Sequence, residues 1–186
     1  MKRINCLILA VISAFSVFAF SSCSEKARES SATPSEILTA AIASAKWDNV
    51  QYTKASMDAM ESDDRESLIS IFYGDLENNI PDMSLFSDYA MSVPGGEASA
   101  NEVGIFKIAA TDASAFDTTK QTTEAFMKLR AKNVSDIFRG YDEASMKKAD
   151  NALIGSFGNY VYYIMSDNNA EIESIIKSQI EAKYIA

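Results

Sequence analysis

The first 23 residues set the strongest constraint on what this chain can fold into. Lys2 and Arg3 precede an uncharged, mostly apolar run from Ile4 to Phe20, and two serines then lead to Cys23. This three-part layout is typical of a secretory signal peptide. Residues 24–186 remain for one exported domain. They contain no cysteine for a disulfide bond, so packing alone must hold that domain together.

The end of the apolar run carries a second signal. Phe20-Ser21-Ser22-Cys23 resembles the bacterial lipobox, in which a cysteine after two small residues is acylated and becomes the first mature residue. We therefore expect residues 1–22 to be a lipoprotein signal peptide and Cys23 to be the lipidation site. Phe20 departs from the Leu, Val or Ile of that pattern, which raises the question of slow cleavage.

Two alternatives to lipidation remain open. Cys23 could be incidental to an ordinary signal peptide. The apolar run could also be an uncleaved anchor, because as a helix it would be about 26 Å long against a hydrocarbon core of about 30 Å.

Composition excludes several classes of function. Without Lys2 and Arg3 the chain has 15 basic and 26 acidic residues, and this acidic balance argues against a nucleic-acid partner. It has no histidine, which removes Ser–His–Asp and Cys–His catalysis and histidine-based zinc sites. We expect no cofactor and no metal, and contact with the membrane through the lipid on Cys23.

The mature chain reads as a short tether followed by one domain. Lipidated Cys23 and a polar, Ser-rich stretch predict a flexible tether over 23–33, and 34–186 predicts a single α+β domain. Thr33-Pro34-Ser35-Glu36 is a helix start with a capping box, so we expect a helix over 34–46. A second helix is expected over 63–72, whereas 51–60 fits either a strand or an irregular connection.

Two strand–strand–helix units follow. The clearest signal is Gly158-Asn159, a two-residue turn inside the hairpin 151–166, which places Gly155 opposite Tyr162. The other predicted elements are strands over 85–93 and 102–110, a helix over 113–139 capped by Asp112, a connector over 141–150 with one helical turn, and a last helix capped by Asn168 and Glu171.

These elements predict an α+β fold with an antiparallel four-stranded sheet. Two β-hairpins in the order ββαββα, with amphipathic helices on one face, bury the apolar positions economically. One or two N-terminal helices precede this unit.

Three residues are candidates for binding a ligand. Lys107 lies in the middle of a strand and could bind an anionic group together with Arg130, or it could extend along a sheet edge to water. Arg130 lies on the packed side of a helix, where a structural ion pair is the alternative to a ligand contact. Tyr162, with Tyr160, Tyr163, Tyr141 and Trp47, could form an aromatic platform for sugar or peptide, or pack half-buried.

Carboxylates are the only acid–base groups on which a hydrolase could be built. Asp63-Asp64, or Glu102 with Asp112, could cleave a glycoside if their separation suited that reaction. Helix caps and solvated surface charges explain the same residues without catalysis, so we assign no catalytic residue.

Several residues in order resemble a known family. They are Phe72-Tyr73-Gly74, Tyr89 with Pro94, Glu102-Val103 leading to Lys107, Arg130, Phe138 with Tyr141, and Gly158 with Tyr160. Over about Leu68 to Ile180 the chain resembles the lipoproteins grouped as domain of unknown function 4358. The resemblance implies an extracytoplasmic lipoprotein and carries no activity.

We therefore expect a lipid-anchored protein on the extracytoplasmic face of the cell membrane. It would bind an envelope protein or a wall component without catalysis. The alternative is a cell-wall hydrolase that uses carboxylates.

Overall fold

The computed structural model of the chain describes residues 28–74, 79–95, 99–110 and 112–185. The predicted signal peptide, Cys23 and the first part of the predicted tether lie outside these ranges. The described residues form an α+β fold, and none of their helices is long and apolar enough to cross a membrane. The elements in chain order are α1 (Pro34–Ala41), β1 (Asn49–Thr53), α2 (Lys54–Asp58), α3 (Ser62–Tyr73), a 3₁₀ turn (Met83–Leu85), β2 (Phe86–Pro94), β3 (Glu102–Ile108), α4 (Ala113–Phe138), α5 (Glu143–Asp150), β4 (Leu153–Phe157), β5 (Tyr160–Met165) and α6 (Asn169–Glu181).

Five strands form one antiparallel sheet in the order β1-β2-β3-β5-β4. Both predicted hairpins are confirmed, β2 with β3 and β4 with β5, and Gly155 does lie opposite Tyr162. The predicted four strands and the order ββαββα are wrong in detail. The ambiguous segment supplies a fifth strand, β1, which pairs with the second half of β2, and α5 intervenes between α4 and β4.

Helices cover both faces of the sheet, not one face as predicted. Helices α2, α3, α4 and α5 pack on one face, and α1 and α6 pack on the other. The reason lies in β5, whose six residues are all buried, so that side chains on both of its faces need a cover. A strand that is apolar on both sides is typical of the interior of a three-layer fold.

Most predicted helix starts are confirmed, whereas several ends differ. Thr33 and Glu36 form the capping box of α1, but this helix ends at Ala41, short of residue 46. Asp112 caps α4, and Gly140 follows that helix with a φ of 90°. Asp142 caps α5, which is longer than the predicted single turn.

The cap predicted for the last helix is wrong. Asn168 makes no side-chain capping bond, and Asn169 Oδ1 accepts a hydrogen bond from the Ser166 amide instead.

A glycine at the centre of the sheet determines where one tyrosine ring can lie. Gly104 pairs with Tyr163 across β3 and β5, and a Cβ atom at Gly104 would lie 2.2 Å from Tyr163 Cε1. The absence of a side chain therefore allows the ring to cross β3 towards Glu102, two residues back on the same face. This close approach makes the next feature possible.

Candidate functional site

The three predicted ligand-binding residues do not share a site. Lys107 and Tyr162 lie on the sheet face covered by α1 and α6, together with Ile105 and Tyr160. Arg130 belongs to α4, on the opposite face. The five-stranded sheet separates Lys107 from Arg130, so these two cations cannot hold one small anion between them.

Arg130 is part of a buried polar centre. It donates from Nε to Glu102 Oε1 at 2.9 Å and from Nη2 to Glu102 Oε2 at 2.6 Å. Tyr163 donates its hydroxyl to the same Oε1, and the Tyr73 hydroxyl lies 2.8 Å from that of Tyr163. The Glu102 side chain is 1% exposed and that of Arg130 is 10% exposed. The centre therefore joins β3, α4, β5 and α3.

The electrostatics of this centre favour a fixed protonation state. Burial raises the pKa of Tyr73 and of Tyr163, and the negative charge of Glu102 raises both further. Burial lowers the pKa of Arg130, but the charge and hydrogen bonds of Glu102 outweigh it, so the net shift is upward. Both phenols therefore stay protonated and the guanidinium stays charged at neutral pH.

Tyr162 is equally occupied. Its hydroxyl donates to Glu173 Oε1 at 2.9 Å, and Glu173 also pairs with Lys177 at 2.9 Å. Its ring lies against Gly155, where a Cβ atom would come 2.8 Å from Tyr162 Cε2. Since Tyr160, Tyr162 and Tyr163 are all fully buried, they form no exposed aromatic platform.

Lys107 holds the N-terminal segment against the sheet. Its ammonium donates to the Ser30 carbonyl at 2.7 Å and lies 5.5 Å from the centroid of the Tyr160 ring. The Tyr160 hydroxyl donates to the Ala32 carbonyl at 2.6 Å. These two side chains of the sheet thus bind the backbone of a segment that sequence reasoning assigned to the tether.

The C-terminal end of the described chain completes this arrangement. The Ser31 amide donates to the Lys183 carbonyl at 2.9 Å, and the Ile185 amide donates to the Glu29 carbonyl at 3.0 Å. Ser30 Oγ donates to the Ile180 carbonyl at 2.8 Å. Ser30 and Ala32 are each 1% exposed. The packed part of the chain therefore includes residues 28–33, which precede the predicted domain start at Pro34.

An open cleft lies beside α3. It has a volume of about 690 Å³ between α2, α3, the chain before β2, and β2 itself. Ile69, Phe86 and Tyr89 provide its apolar floor. Its other lining residues are Lys54, Asp58, Arg65, Glu66, Ile80, Pro81, Asp82, Met83 and Ser84. We refer to it as the α3 cleft.

The rim of the α3 cleft carries a cation without a counter-ion. Lys54 pairs with Asp58 at 2.5 Å, whereas the guanidinium of Arg65 forms no ion pair with another described residue. The pKa of Tyr89 is raised to about 12, chiefly by burial. The charge of Asp58 adds to this increase, and the charge of Arg65 opposes it. Tyr89 is therefore neutral, and the cleft offers an apolar floor with an available cation.

Glu102 and Asp112, one of the two carboxylate pairs considered for glycoside cleavage, lie too far apart to act together. Glu102 begins β3, whereas Asp112 follows its other end and caps α4. A seven-residue strand of about 20 Å lies between them, well beyond the separation used by glycosidases. Hydrogen bonds lower the pKa of six other carboxyl groups: Glu36, Asp82, Asp136, Asp142, Glu143 and Glu173.

Comparison with known proteins identifies the central part of the fold. Residues 77–166 match the model of a family described as a domain of unknown function, DUF4358. Over these residues the chain is similar to the DUF4358 family. The match covers β2 to β5 and confirms the resemblance noted in the sequence, over a shorter range. No curated protein and no solved structure matches the chain.

The DUF4358 region contains most of the polar centre. Glu102, Arg130 and Tyr163 fall within it, and Tyr73 lies just before it. Sequence reasoning expected a structural ion pair for Arg130 but did not identify Glu102 as the partner. The available signal was a glutamate at the start of the apolar strand Glu102-Val103-Gly104-Ile105-Phe106. The α3 cleft had no such signal, because its walls come from three separate segments.

We expect Glu102→Gln to lower the free energy of unfolding by about 3–5 kcal/mol, because it leaves the Arg130 guanidinium buried without its counter-charge. Chemical denaturation measures this loss. Asp136→Asn is the matched control. It removes an exposed carboxylate on α4, the helix that carries Arg130, and should lower the free energy of unfolding by under about 1 kcal/mol. Equal losses in the two variants would contradict the assignment. If Glu102→Gln does not fold, Glu102→Leu with Arg130→Met should still be more stable than Glu102→Leu alone.

We expect Lys107→Met to loosen the N-terminal segment, because a charged hydrogen bond to the Ser30 carbonyl is lost, worth about 1.5–3 kcal/mol. Trypsin cleavage after Arg28, followed by mass spectrometry, should become faster. Lys147→Met removes a lysine that pairs only with Glu143 on α5 and should leave the rate unchanged. Identical rates in all three proteins would show that Lys107 does not hold this segment.

Proposed function

We propose that the protein is a lipid-anchored envelope protein that acts by binding a polypeptide or wall component, not by catalysis. The observation that carries the proposal is the α3 cleft, with its apolar floor and the guanidinium of Arg65, which forms no ion pair with another described residue. A partner that fits has apolar side chains for Ile69 and Phe86 and an acidic group for Arg65. Such a mixed surface supports recognition of an extended segment.

The lipid anchor rests on the sequence Phe20-Ser21-Ser22-Cys23. Cys23 precedes Arg28, the first residue that the structure describes, by five residues. Two or more acyl chains on one residue give stable membrane residence, since each buried CH₂ contributes about 0.8 kcal/mol.

The alternative, a hydrolase that uses carboxylates, has less support. A general acid needs a carboxyl group whose pKa is raised towards neutrality. The pKa values of Glu36, Asp82, Asp136, Asp142, Glu143 and Glu173 are lowered, and Glu102 is bound to Arg130 and Tyr163.

We expect Cys23→Ser to abolish membrane anchorage, because serine provides no thiol for acylation. The protein should leave the membrane fraction or accumulate as an unprocessed precursor. Fractionation and intact-mass measurement distinguish these outcomes from wild type. Unchanged mass and unchanged membrane partition would contradict the lipid anchor.

We expect Arg65→Glu to abolish occupancy of the α3 cleft, because the rim then repels an acidic group. A photoreactive residue in place of Ile80, on the rim, reports occupancy through adducts formed in native membranes. Arg139→Glu makes the same charge change at an exposed site on the end of α4 and should leave the adducts unchanged. Adducts that survive Arg65→Glu would contradict the assignment of the cleft. Release of soluble fragments from wall material by the purified protein would favour the hydrolase.

A further inference from the structure

The N-terminal segment fixes where the membrane can lie relative to the domain. Arg28 lies at the end of the sheet that carries the β4–β5 turn: a Cβ atom at Gly158 would lie 2.9 Å from the Arg28 carbonyl oxygen. The Arg28 guanidinium also lies 4.2 Å from the centroid of the Tyr184 ring. We refer to this end of the sheet, with Gly158, Asn159, Ala109 and Ser87, as the turn end.

The five-residue segment from Cys23 to Arg28 is too short to reach from the turn end to the opposite end of the sheet. A chain of five residues spans at most about 18 Å, whatever its conformation. From Gly158 along β5 to Asp167 the sheet extends about 25 Å. If the end carrying Asp167 faced the bilayer, Arg28 would be farther from the lipid than the chain from Cys23 can reach.

From this geometry we infer that the domain presents its turn end to the lipid surface and its Asp167 end away from it. The inference rests on the proposed acylation of Cys23. In this account the domain does not tumble freely. Its orientation is restricted, because Lys107, Tyr160 and the 183–185 backbone hold the segment that leads to the anchor.

The α3 cleft shares the turn end. Phe86 begins β2 at that end, and Ser87 lies beside Glu29 in a second, smaller cleft of about 260 Å³. The α3 cleft therefore opens close to the lipid surface, where an extracytoplasmic segment of a membrane-embedded protein is within its reach.

Two single-cysteine labels test the orientation in the full, lipidated protein. After acylation of Cys23 the domain has no other cysteine, so each added thiol can be labelled alone. Ala109→Cys places a fluorophore at the turn end, next to the end of β3, and Asn168→Cys places one beyond the end of β5. Both positions are exposed. Energy transfer to a lipid-bound acceptor in reconstituted vesicles should place the Asn168 label about 25 Å farther from the lipid.

A variant with a longer segment between Cys23 and Arg28 is the control for this measurement. Insertion of about 20 Gly and Ser residues between Cys23 and Arg28 should make the two labels report equal distances, because a flexible chain of that length lets the domain rotate. Equal or reversed distances without the insertion would overturn the orientation while leaving the anchor intact. Fatty-acid incorporation is measured in the same samples. Its absence would overturn the anchor and, with it, the orientation.

Discussion

A buried ion pair at the start of the central strand connects most of this fold. Glu102 lies on β3, the middle strand of five, and receives two hydrogen bonds from Arg130 of α4 and one from Tyr163 of β5. Tyr73 brings the end of α3 to the same point. Glu102 and Arg130 are tolerated in the interior only together, because burying one ionised group without its partner costs several kcal/mol of stability. Four elements are therefore fixed to one another by geometry as well as by apolar contact.

The two faces of the sheet have different tasks. The face covered by α2 to α5 contains the ion pair and borders the α3 cleft. The face covered by α1 and α6 is largely apolar, and at its turn end Lys107 and Tyr160 bind backbone carbonyls of residues 30 and 32. One face thus contains the buried ion pair, and the other holds the backbone of residues 30 and 32.

The parts of the structure governed by local rules could be predicted from the sequence. The turn at Gly158-Asn159 sets the register of β4 and β5, so the contact between Gly155 and Tyr162 followed from two residues. Capping residues placed the starts of α1 and α4 for the same reason. Non-local features were missed: β1 pairs with a strand about 40 residues away, and residues 28–33 find their partners near residue 183. A polar, Ser-rich segment resembles a tether until those distant carbonyls and amides are known.

Hydrogen exchange in the wild-type protein tests the central claim most directly, that the segment beginning at Arg28 is part of the domain. The Ser31 amide, bound to the Lys183 carbonyl, and the Ala32 amide, bound to Ser30 Oγ, are the reporters. Protection of both amides comparable to that of the β4–β5 hairpin is the expected result. Exchange of both amides at the rate of an unstructured peptide would show that the flexible segment after Cys23 extends to Pro34 and leaves the domain free to rotate.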